Sequence, residues 1–231
     1  VVLVAWPAEG LEEVARDLER RYAIQTRCIV LDLADRAETL RLAEATGDLE
    51  IGLLVYNAAF SDVGPFLRQE LEGKIRGVDV NCAGPLILAQ ALAGPMVGRG
   101  RGGIILMSSL SAFHGTPLVA SYAATKAFNL TLGEALWEEL RPSGVDVLVV
   151  CPGATRTPGW EQSRPQRRRF LAPSLMEPAP VVSEALEALG RRPVVIPGRA
   201  NRLWGLLLHR LMPRRRAVEL LTRSMSRLYP G

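Results

Sequence analysis

The chain has 231 residues, 48% of them hydrophobic, and a formal net charge of +4. That suffices for one sizeable α/β domain with a real core, and glycine and proline are too ordinary for a collagen-like or long disordered chain. The three cysteines, Cys28, Cys82 and Cys151, form no CxxC pair and each sits in an apolar segment. This predicts buried free thiols in a reducing, cytoplasmic setting, not a disulfide or a metal site.

In chain order, residues 1–5 read as a buried strand, too short for a signal peptide or a membrane span. Pro7 then opens a helix to Tyr22, with Leu11, Val14, Ala15 and Leu18 at helical spacing. A strand at 26–31, a helix at 36–45 and a strand at 51–56 follow. Residues 69–97 are a long helical stretch, bent or broken near Gly84-Pro85. Strand 104–107, helix 121–140, strand 145–151 and a short last strand at 194–196 complete the alternation. Continuous apolar strands separated by long helices predict a Rossmann-like, doubly wound parallel sheet with helices on both faces, in a single domain over 1–231.

Two segments stand apart. Residues 155–180, rich in Pro and Arg after a strand end, read as a substrate loop or lid. Residues 199–231 form a basic helical segment. Across 191–231 there are ten Arg and one acid, Glu219, a local charge of +9 that leaves −5 for the remainder. Such a tail allows contact with an anionic membrane surface, packing over the substrate site or a solvated helix face. Nothing in it reads nucleic-acid bases.

The strongest local signal is Ser121-Tyr122-Ala123-Ala124-Thr125-Lys126, with Ser109 thirteen residues before Tyr122. On a helix, Tyr122 and Lys126 share one face. A neighbouring ammonium stabilises a phenolate, so Lys126 is expected to lower the Tyr122 pKa. The chain uses 26 Arg and only two Lys, Lys74 and Lys126, which singles out the lysine one turn after the tyrosine.

The run from Gly102 to Ser109, followed by Tyr122-Ala123-Ala124-Thr125-Lys126, resembles the active-site signature of the short-chain dehydrogenase/reductase family. Asp79-Val80-Asn81-Cys82-Ala83-Gly84-Pro85 resembles its asparagine-bearing helix motif, and Cys151-Pro152-Gly153 with Thr157 its nicotinamide-closing stretch. Asp32-Leu33 resembles its adenine-contacting pair. The resemblance implies hydride transfer between a nicotinamide cofactor and an alcohol or carbonyl carbon. Tyr122 would be the general acid/base, Lys126 would hold the ribose, and Ser109 would stabilise the substrate oxygen. Asn81 would hold a backbone kink and a relay water. It also implies a homodimer or homotetramer packed through the helices at 86–97 and 127–140. Phe113, His114, Leu118, Trp160 and Phe170 flank the implied crevice and suggest a hydrophobic substrate.

Three departures qualify this. No glycine-rich turn follows the first strand, so the chain is expected to be truncated by about one strand–helix unit, roughly 30 residues. It is then expected to bind dinucleotide poorly and to expose a sheet edge. A non-catalytic relative that has lost cofactor binding is the alternative. Tyr56-Asn57-Ala58-Ala59 stands where the family has Asn-Asn-Ala-Gly, placing the Ala59 methyl near the cofactor. The chain begins with what would be the family's second strand, which ends Ala5-Trp6-Pro7 with no acid at its tip, and this favours NADP over NAD. The G-x-G-x-x-G spacing at Gly98, Gly100 and Gly103 precedes a strand instead of following one, and reads as a loop.

Overall fold

In the computed structural model of the chain, residues 1–163, 165 and 175–229 are described. Phe170 and the centre of the 155–180 segment lie outside them.

Successive β4 (Gly102–Met107) and β5 (Val145–Val150) residues alternate between the two faces of a parallel sheet, as the two-residue period of a strand requires. Ile104, Leu106, Val145 and Val147 pack with Leu88, Ala89 and Met96 of α4 (Gly84–Arg99) on one face. Leu132, Leu136 and Trp137 of α5 (Ala120–Leu140) complete that cluster. On the opposite face, Ile105, Leu148 and Val150 meet Val181, Ala185 and Ala188 of α7 (Pro178–Ala188). Both faces are therefore covered, so these strands can be apolar throughout. Each fully buried Val, Leu or Ile side chain stabilises the fold by about 1.5–3 kcal/mol.

The sheet is in two pieces. β1 (Val2–Ala5) pairs in parallel with β2 (Arg27–Val30), and β3 (Leu53–Tyr56), β4, β5 and β6 (Val194–Val195) form a second parallel sheet in that order. Among the described residues no strand joins them, and Leu53 and Val55 on β3 are 41% and 50% exposed. The expected exposed edge is thus present. The two pieces nevertheless share one core cluster: Val4, Ile29 and Leu31 pack with Tyr56 and Leu88. Helices α1 (Leu11–Tyr22) and α2 (Arg36–Ala45) follow β1 and β2. Asp35 caps α2 by accepting from the Ala37 and Glu38 amides.

The expected break near Gly84-Pro85 is instead a π turn, Asp79–Ala83, between α3 (Leu71–Val78) and α4. Proline has no N–H to give and crowds the preceding turn, and the wider i→i−5 step absorbs both. Tyr56, at the family's variant position, is buried in the core, and its hydroxyl donates to the Val80 carbonyl inside that turn. Residues 71–99 are long and apolar enough by composition to cross a membrane, yet Leu88, Ala89 and Met96 from this stretch are core residues.

Two further expectations change. Cys28 lies exposed on β2, Cys82 is half-buried and Cys151 is buried; all three are free. Gly98–Gly103 is no loop: Gly100 caps α4 in the left-handed conformation at φ 68°, and β4 starts at Gly102. After β6 come α8 (Arg199–Leu206), a π turn (Leu207–Leu211) and α9 (Arg214–Leu228).

Candidate active site

Parallel strands place all their carboxyl ends on one side, where open α/β sheets bind ligands. Here Ser109 follows β4, Pro152 and Gly153 follow β5, and Asn57, Ala58 and Ala59 follow β3. The Leu110 amide donates to the Pro152 carbonyl at 3.0 Å, joining two of these ends.

Ser109 caps a short 3-10 turn, Leu110–Phe113. Its oxygen accepts from the Ser111 amide at 3.2 Å and the Ser111 hydroxyl at 3.0 Å. Both lone pairs are thereby engaged, which leaves the Ser109 O–H to donate. Tyr122 lies near the start of α5, which packs against the turn that Ser109 caps.

Lys126 lies one turn after Tyr122 and is only 2% exposed. Its Nζ donates to the Met107 carbonyl at the end of β4, 2.7 Å away, and lies 5.6 Å from the Tyr122 ring centroid. The Ser108 hydroxyl fixes the same helix by donating to the Lys126 carbonyl at 2.7 Å.

The charge balance differs from the sequence expectation. Burial pushes the Tyr122 phenol above its ordinary value, and the Ser109 hydroxyl pulls it only partway back. Burial likewise brings Lys126 down to about 8. The ammonium faces the ring and a carbonyl, so desolvation governs the phenol. The Tyr122 phenol is consequently held in its neutral form near neutral pH.

Asn81 is fully buried in the first π turn. Its Oδ1 accepts from the Phe60 amide at 2.8 Å, and its Nδ2 donates to the Phe60 carbonyl at 2.8 Å and to Thr125 Oγ1 at 2.9 Å. It ties the strand-end segment 57–60 to α5 beside Tyr122. The kink assigned to Asn81 is there, and the side chain serves as the tether.

The remaining assigned residues are more dispersed. Asp32 takes a two-pronged contact from Arg76 at 3.0 Å and 3.0 Å and accepts from the Ala34 amide at 3.0 Å. Burial raises its carboxyl, but these partners hold it below the usual carboxylate range. Leu33 packs against the core, Asn57 and Ala59 are exposed, and Thr157 caps α6 (Pro158–Gln162) by accepting from the Trp160 amide. Phe113 and His114, expected to flank the crevice, turn toward the C-terminal segment. Both rings pack on His209, with centroids 4.2 Å and 4.6 Å away.

Two contacts had no forewarning in the sequence. Asn201 of α8 is 1% exposed and lies across Gly153, where an added Cβ would meet its Oδ1 at 2.6 Å. Its Nδ2 donates to the Pro197 carbonyl at 2.9 Å. His209 meets His114 across 95 positions of sequence.

The short chain dehydrogenase family model matches residues 1–168. The chain belongs to the short-chain dehydrogenase family. It is therefore an oxidoreductase. A 7beta-hydroxysteroid dehydrogenase of Clostridium sardiniense is 31% identical over 202 residues, 87% of this chain and 77% of that protein. The very-long-chain 3-oxoacyl-CoA reductase of Homo sapiens is 29% identical over 218 residues, 92% of this chain and 65% of that protein. A structure solved in work on 7beta-hydroxysteroid dehydrogenase stereoselectivity superposes with a TM-score of 0.86 at 26% identity, covering 96% of this chain and 86% of that one. A short-chain dehydrogenase from Sphingobium yanoikuyae in complex with NADPH gives 0.76 at 31% identity, covering 85% and 76%.

Members of this family use NAD(P), and this short-chain dehydrogenase fits the nicotinamide end of such a cofactor. The Lys126 ammonium spends one of three N–H groups on Met107, leaving two for ribose hydroxyls. Gly153 lies at the neighbouring strand end, with Asn201 packed across it. The turn after β1 is Trp6-Pro7-Ala8-Glu9-Gly10, with a single glycine.

Proposed function

We propose that this short-chain dehydrogenase moves a hydride between a nicotinamide cofactor, NADP in preference to NAD, and the carbonyl or alcohol carbon of a hydrophobic small molecule. Tyr122 is the general acid/base. The observation that carries this reading is the convergence of the Ser109 hydroxyl, the Tyr122 phenol and the buried Lys126 at the carboxyl ends of β4 and β5.

When bound, the nicotinamide supplies or accepts the hydride. The chain's own groups handle the oxygen. The Ser109 O–H donates to the substrate oxygen and steadies the charge that builds there. Tyr122, kept protonated by burial, donates its proton to the same oxygen when the carbonyl is reduced. Lys126 holds the ribose and keeps α5 fixed against β4.

The absence of an acid at the tip of β1 supports NADP. The relatives' steroid and 3-oxoacyl names, with the apolar Phe60 tied to Asn81 beside Tyr122, support a bulky hydrophobic ketone. The test is consumption of NADPH and of NADH in parallel against steroid ketones, 3-oxoacyl thioesters and small polar ketones. The expected result is turnover of the bulky apolar ketones with NADPH ahead of NADH. Turnover confined to polar ketones, or faster with NADH, would overturn the assignment.

A further inference from the structure

The chain has two histidines, and they meet. His114 lies five residues after Ser109 and eight before Tyr122; His209 sits inside the π turn Leu207–Leu211 of the C-terminal segment. Their Nδ1 atoms are 2.7 Å apart, their rings stack with centroids 4.6 Å apart at 18°, and Phe113 covers His209 from 4.2 Å. His114 is 7% exposed, and His209 Nε2 is buried with no partner among the described residues. π turns inside helices recur at functional positions, because the extra residue re-aims a side chain. This one brings His209 onto the loop that carries Ser109.

We infer that His209 is a positioning residue for the Ser109 loop, joined to it by a His114–His209 clasp that holds with at most one proton added to the neutral pair and opens when both rings are cationic. With both rings neutral, one Nδ1–H donates and the other Nδ1 accepts. One added proton still leaves a donor facing an acceptor. A second sets two N–H groups against each other and places two charges in a desolvated contact. From α9, Arg214 faces His114; from the Ser109 loop, His114 faces His209; no carboxylate contributes to the shift of either ring. Burial and these like charges lower both rings, His209 to about 4. The unfolded chain takes up protons near 6.5, before the clasp does. The contact is therefore secure above that value and weakens as pH falls from about 6.5 toward 4. Asn201, packed across Gly153, gives the same segment a second hold on the site. The effect on turnover rests on the proposed reductase function; the clasp does not.

With only two histidines, imidazole nitrogen NMR of the full chain reads the pair directly, assigned with His114→Ala. At pH 7.5 one Nδ1 should carry a proton and the other none, and His209 should titrate near 4. In His114→Ala the His209 value should rise toward 6.5. In His209→Phe, which keeps the stack on Phe113, the amide signals of residues 109–115 should shift at pH 7.5, and their remaining movement at lower pH should follow the single titration of His114. Reductase kcat should fall on the order of tenfold in that variant with the KM for NADPH unchanged, and its rate profile should lose the steep acid limb. An ordinary titration of His209 in the wild-type chain, or unchanged 109–115 signals in His209→Phe, would overturn the clasp. A chain that reduces no ketone defeats the proposed function while the titration still decides the clasp, as it does if a variant fails to fold.

Discussion

Lys126 and Tyr122 show how burial sets the chemistry at single residues. A lysine brought down to about 8 is charged below that pH and neutral above it. Its hold on the ribose should therefore weaken as pH rises through about 8, so the KM for NADPH is expected to climb there. A KM flat from pH 7 to 9.5 would contradict this. Asn81 is a second case. Removing its amide in Asn81→Ala leaves the Phe60 amide and carbonyl without their partner, at a cost of about 1–3 kcal/mol for each group left buried and unsatisfied. Urea unfolding should show a loss of about 2–6 kcal/mol for the two groups together, and an unchanged midpoint would show that Phe60 finds other partners. The tyrosine–lysine pair was legible because i, i+4 spacing on a helix is local geometry. The direction of the tyrosine's shift was not, since desolvation depends on what the fold packs around the ring. His209 and Asn201 reach their partners across dozens of residues and carry no local pattern at all.

Among the elements, strands β1 to β5 were legible from their apolar runs to within two residues, because strands covered on both faces need no polar alternation. Helix α7 was not singled out, as its first turn, Pro178-Ala179-Pro180, reads like the end of the preceding Pro-rich loop, although proline suits the first helical position. The first π turn was half legible: Gly84-Pro85 signalled an interruption, but Tyr56 packing against Gly84, which turns a break into a bulge, is a tertiary contact. Helix α5 approaches β5 so closely at Gly133 that an added Cβ would meet Val149 Cγ2 at 2.1 Å. Gly133→Val should therefore push α5, with Tyr122 and Lys126 on it, away from the sheet. Overpacking of this kind costs about 1–3 kcal/mol or more, and activity should fall with stability. Thermal unfolding and turnover measured together would check this; unaltered values for both would contradict the close approach.

For the whole molecule, the two sheet pieces share one core without sharing a hydrogen-bonded ladder. Ser109, Tyr122 and Lys126, the proposed catalytic set, lie in the four-stranded piece and its helices, and helix α5 shares that core with β1 and β2. The single glycine in the turn after β1 was visible in sequence, whereas the division of the sheet emerged only from the strand pairing.

The most direct test of the account is the rate of ketone reduction by NADPH in Tyr122→Phe beside the wild-type chain, near pH 7. Phenylalanine keeps the ring against Lys126 and removes only the hydroxyl. Loss of a general acid should lower kcat by about 10²–10⁴-fold with little change in cofactor binding. Equal turnover in the two proteins would contradict the assignment of Tyr122 as the proton donor.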